Sequence, residues 1–141
     1  MTLDETVTLI KNCTQRMNEL YRQPVFDEWA IISTLDKKGK ILIYSGPRKE
    51  EFQKHFATDL GSLRSELLSA RYGLGDFEFA RHGVGTQFEA FLIVGEGLYL
   101  ICNNTSKTMS MIARDPLWLS AQVPFMELSD KFRSNPLVHP L

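Results

Sequence analysis

The segment Phe88-Glu89-Ala90-Phe91-Leu92-Ile93-Val94 and its continuation Leu98-Tyr99-Leu100-Ile101-Cys102 constrain this chain more than any other feature. Both runs are dense in β-branched, aromatic and large apolar side chains, and they are far too short to span a bilayer. They therefore read as strands of a folded domain. Gly95-Glu96-Gly97 joins them, and glycine reaches the positive φ values that a tight connection needs. An earlier pair is similar in kind: Trp29-Ala30-Ile31-Ile32-Ser33-Thr34-Leu35, the turn Asp36-Lys37-Lys38-Gly39, then Ile41-Leu42-Ile43-Tyr44. Between the two pairs, Phe77 and Phe79 alternate with Glu78 and Ala80, predicting a short strand that ends at Gly83-Val84-Gly85.

Helical spacing fills the remainder. Thr2-x-x-Glu5 is a capping-box pattern, and Leu3, Val7, Ile10, Cys13, Met17 and Leu20 follow it along one stripe to about Tyr21, just before Gln23-Pro24. From Arg48 to Tyr72 the residues Phe52, Phe56, Leu60, Leu63, Leu67 and Ala70 share one arc of a second helix. Helical text resumes at Ser106 through Met109, Ile112 and Ala113, pauses at Asp115-Pro116, and continues to Phe132, with Pro124 kinking or restarting it. Nothing in the 141 residues reads as a linker or repeat, so residues 1–134 form one domain followed by a proline-punctuated tail, 135–141. The expected class is α/β of the α+β kind, in the order α-β-β-α-β-β-β-α. Its simplest arrangement is one five-stranded, mainly antiparallel sheet with helices on its faces.

The formal net charge of -1 leaves no basic field to hold nucleic acid or anionic lipid. Cys13 and Cys102 are the only cysteines, widely separated, which fits reduced thiols. An acidic N-terminus without a cationic and apolar leader places the chain in the cytoplasm, without membrane insertion.

Candidate chemistry is sparse. His55, His82 and His139 have no partner at metal-ligand spacing, and Gly73-x-Gly75, Gly83-x-Gly85 and Gly95-x-Gly97 lack the remainder of a phosphate loop, so they read as turns. No Gly-x-Ser-x-Gly elbow accompanies the serines, and both thiols read as small core residues. Asp27-Glu28 reads as a solvated loop pair, and Glu50-Glu51 as the acidic first turn of the second helix. Trp118, with Leu117, Leu119 and Phe125, reads as cover for a sheet face. No catalytic residue, cofactor or metal is expected.

The order of elements, with Leu35-Asp36-x-x-Gly39-x-Ile41 at the first hairpin and the Phe91-to-Leu100 meander at the last, resembles a Roadblock (dynein light chain) domain over roughly residues 4 to 114. The segment Asp115-Pro116-Leu117-Trp118-Leu119 and the long C-terminal extension depart from that pattern. The resemblance implies a profilin-like fold and a non-enzymatic homodimer, with third strands paired across a two-fold and second helices side by side. It further implies a surface presented to a Ras-like small GTPase or related switch protein. On that reading Phe77 and Phe79 lie at a dimer edge. Ala57, Gly61 and Leu68 project beside the main stripe of the second helix, with Arg64 at the margin of a helix contact; Gly61 alternatively ends one helix where Ser62 caps the next. The rival reading is a small-molecule sensor of PAS or GAF type, which a break at Gly61 would favour.

Overall fold

A computed structural model describes residues 1–35, 39–54, 77–81, 88–104 and 114–138, with backbone alone at Phe77–Arg81, Phe88, Glu89 and Phe91. Helix α1 spans Leu3–Tyr21 and starts where the capping pattern predicts: Thr2 Oγ1 accepts a hydrogen bond from the Glu5 N–H at 3.2 Å. It ends at Arg22, which takes the left-handed conformation at φ 65 that closes many helices. Thr6, Ile10, Cys13, Met17 and Tyr21 are its buried residues, recurring at three- and four-residue intervals along one stripe.

Among the described residues five strands follow: β1 (Glu28–Ser33), β2 (Lys40–Ser45), β3 (Phe77–Arg81), β4 (Phe88–Gly95) and β5 (Leu98–Asn104). All four pairings are antiparallel, in the order β2-β1-β5-β4-β3. The class is therefore α+β. β1 lies between β2 and β5, and all six of its residues are buried, which explains the apolar run from Trp29 to Ile32 at its centre. Gly97, at φ 67, supplies the left-handed residue of the β4–β5 turn. Residues 49–54 are helical, and the rest of the expected second helix lies outside the described residues, as does the helical text from Ser106 to Ala113.

After Asp115, whose Oδ1 accepts from the Leu117 N–H at 2.9 Å, come the short α2 (Trp118–Ala121) and α3 (Val123–Ser134). Pro124 falls in the first turn of α3, where its missing N–H costs nothing, so the proline restarts the helix instead of kinking it. α1 and α3 run side by side in opposite directions, with Arg16 bridged to Glu127 at 2.9 Å and the Met1 ammonium donating to Asn135 Oδ1 at 3.3 Å. Beyond α3 the chain returns to the sheet. Leu137 is buried, and its N–H donates to the Val94 carbonyl at 2.7 Å.

The core divides between the two faces of the sheet. On the first face Trp29, Ile31, Leu92, Val94, Leu98, Leu100 and Cys102 pack beneath α1, α2 and α3, which contribute Met17, Trp118, Phe125, Leu128 and Phe132. On the second, Ala30, Ile32, Ile101 and Phe52 form a separate cluster, flanked by Ile41, Tyr44 and Tyr99. The period-two alternation of β1 and β5 produces this division directly.

Candidate functional site

Two places in this fold carry features that packing alone does not require. The first is the edge of the sheet at β3. Phe77 and Phe79, the two strand residues singled out from the sequence, lie on this outermost strand, which pairs with β4 without a register shift from Phe77↔Leu92 to Arg81↔Phe88. Ala57, Gly61, Arg64 and Leu68 lie outside the described residues, as do His55, His82 and His139.

The second is a buried polar network on the second face, centred on Glu28. The sequence reading of Asp27-Glu28 as a solvated pair holds only for exposed Asp27; Glu28 is the first residue of β1 and is 0% exposed. A charge so placed must be fully satisfied by donors, and it is. Arg48 donates from Nε to Oε2 and from Nη2 to Oε1, each at 3.0 Å. The Tyr44 hydroxyl donates to Oε2 at 2.6 Å, and Asn103 Nδ2 donates to Oε1 at 2.7 Å. Asn103 reaches Glu28 because β1 and β5 place the two residues directly opposite each other. Asn103 Oδ1, also buried, has no hydrogen-bond partner among the described residues.

Burial, and then the bond to Glu28, push the Tyr44 phenol up to about 12. For Arg48 burial acts to lower the pKa, but the hydrogen bond and charge of Glu28 outweigh it and leave the guanidinium held more firmly in its charged form. A bidentate pair of this kind fixes geometry. Both carboxylate oxygens of Glu28 are engaged.

Cys13 and Cys102 are buried and unbridged, as their apolar contexts imply. Burial pushes the Cys13 thiol up to about 12 and raises that of Cys102 well above its ordinary value, so neither stands as a thiolate nucleophile near neutral pH. Trp118 and Phe125 belong to the core as expected, with Phe125 set against Phe26 at a ring separation of 5.9 Å; Leu119 instead is 72% exposed. Glu50 and Glu51 are exposed in the helical residues 49–54. An open groove of about 620 Å³ runs between α1 and α3, lined by Asp4, Glu5, Leu9 and Lys131 among others.

Among the described residues no cluster of three or more His, Cys, Asp or Glu side chains could hold a metal ion, and no helix is long and apolar enough to cross a membrane. Sequence reasoning missed the Glu28 network because Tyr44, Arg48 and Asn103 carry no motif; the nearest signal is a lone acidic residue abutting an otherwise apolar strand. No protein-family model matches the chain, and no curated protein is significantly similar to it in sequence.

Proposed function

We propose that this chain is a non-enzymatic, profilin-like binding module of the Roadblock kind, which forms a homodimer through β3 and presents the assembled surface to a Ras-like small GTPase or a related switch protein. The observation that carries the self-association is the contrast between the two sheet edges. At β2 the pairing with β1 shifts register between Ile31 and Ile32, leaving Leu42 without a partner, and the strand opens with exposed Lys40. A bulge and a lysine are both devices by which an edge resists further pairing.

β3 carries neither device in its pairing. It has regular register over its whole length and a strand neighbour on one side alone among the described residues. Such an edge is one that a second copy can extend into a continuous sheet, and a two-fold axis closes the contact without leaving an open filament. With the axis at Phe79, the middle residue of β3, Phe77 of one copy stands opposite Arg81 of the other. Two thiols held neutral by burial and a carboxylate fully engaged by donors fit a protein that acts by the shape of its surface. The GTPase rests on the family resemblance and on the order of elements.

Light scattering coupled to gel filtration tests the dimer. The expected mass is that of two chains across micromolar concentrations, and a monomer at every concentration overturns self-association. A Phe79→Cys variant is expected to cross-link across the two-fold under mild oxidation, while Ile43→Cys on β2 is not. Immobilised protein should then retain a Ras-like GTPase. Failure to do so with an intact dimer removes the GTPase and leaves the dimer standing.

A further inference from the structure

Arg48 joins three parts of the fold at a single residue. Its guanidinium engages Glu28 of β1 through both Nε and Nη2, its backbone N–H donates to the Tyr44 hydroxyl of β2 at 3.1 Å, and its carbonyl accepts the first helical bond, from the Phe52 N–H, at 3.0 Å. Immediately before it Gly46 and Pro47 are exposed, and a side chain at Gly46 would meet the Tyr44 hydroxyl at 2.7 Å. Phe52 follows one helical turn later, buried against Tyr44 at a ring separation of 5.2 Å. The apolar cluster that takes in Phe52 is separate from the one beneath α1 and α3.

We infer that Arg48 is a releasable latch: its bonds to Glu28 and Tyr44 hold residues 46–54 on the second face of the sheet, and losing them lets that segment open while the first face stays folded. The asymmetry of the pair supports release from the arginine side. The Arg48 side chain is 24% exposed and that of Glu28 is 0% exposed, so water reaches the guanidinium first. When Arg48 leaves, the carboxylate is not stranded. Tyr44 and Asn103, both residues of the sheet itself, still donate to it. A buried charge that keeps two donors costs far less than one left bare, which makes the open state reachable without global unfolding. Local opening of this kind is how separate cooperative units within one domain express themselves. The latch does not depend on self-association, because every group in it belongs to one copy.

Amide hydrogen exchange on the full chain, comparing the native protein with Arg48→Ala and Arg48→Lys, tests the latch. In Arg48→Ala the amides of residues 52–54, the first in the segment placed to donate helical bonds, should exchange at least ~10-fold faster, while those of α1 and α3 change by less than about twofold. Arg48→Lys should fall between the two, because an ammonium keeps the charge but cannot reproduce the two-pronged bond. Acceleration as large in α1 and α3 as in 52–54, loss of α1 protection altogether, or unchanged exchange in 52–54 would each overturn it.

Discussion

The two faces of the sheet are stabilised by different chemistry. Beneath α1, α2 and α3 the contacts are apolar and spread over many side chains, from Ile10 and Met17 to Phe125 and Phe132. Across the sheet a small apolar cluster around Ala30, Ile32, Phe52 and Ile101 lies beside one concentrated polar network at Glu28. Non-directional burial tolerates changes of shape that conserve volume, whereas a buried charge tolerates only changes that keep its donors in place. Damage to the first face should therefore scale with the volume removed. Damage to the second should depend on hydrogen-bond geometry even where volume is unchanged.

Substitutions can break or sharpen that contrast. The largest loss is expected from Phe132→Ala, which empties a fully buried ring site and should cost about 3–5 kcal/mol in urea unfolding. Phe132→Leu should recover much of it; equal losses for the two variants would contradict a volume-governed first face. On the second face Glu28→Gln preserves shape but exchanges a charge-assisted acceptor for a neutral amide, with an expected cost of about 2–3 kcal/mol. Met17→Leu, its nearly isosteric counterpart on the first face, should cost less than about 1.5 kcal/mol. If the two cost the same, the distinction between the faces is lost.

A smaller effect is expected at the rim of the first face, where Gly95 lies against the returning C-terminal segment. A Cβ there would run into the backbone carbonyl oxygen of Leu137, so Gly95→Ala should cost about 1–2 kcal/mol and should weaken protection of the Leu137 amide in hydrogen exchange. The smallest effect is expected from the exposed ion pair between α1 and α3. Arg16 and Glu127 are 56% and 52% exposed, so Arg16→Ala should change stability by about 0.5 kcal/mol or less. A large loss at Arg16 would mean that the helix layer depends on charge after all.

The two edges differ as the two faces do. β2 combines a bulge with a lysine, and β3 has a regular ladder to its one neighbour among the described residues. Nothing in Lys40-Ile41-Leu42-Ile43-Tyr44-Ser45 marks the bulge in advance, because a bulge is a property of a pair of strands.

What the sequence determined by itself was local. Thr2 and Glu5 specified where α1 begins, the apolar run from Trp29 marked β1 as a strand, and Gly95-Glu96-Gly97 marked the β4–β5 turn. These features are legible because a helical or strand period is written by residues adjacent in the chain. Tertiary structure alone decided the order β2-β1-β5-β4-β3, the side-by-side course of α1 and α3, and the return of Leu137 to Val94. It also decided the fate of Glu28. Its partners Tyr44, Arg48 and Asn103 lie 16, 20 and 75 positions away, and only the pairing of β1 with both β2 and β5 brings their donors to one carboxylate. A local pattern reports that a residue is polar; whether that polarity meets solvent or the donors of other strands depends on which distant strand becomes its neighbour.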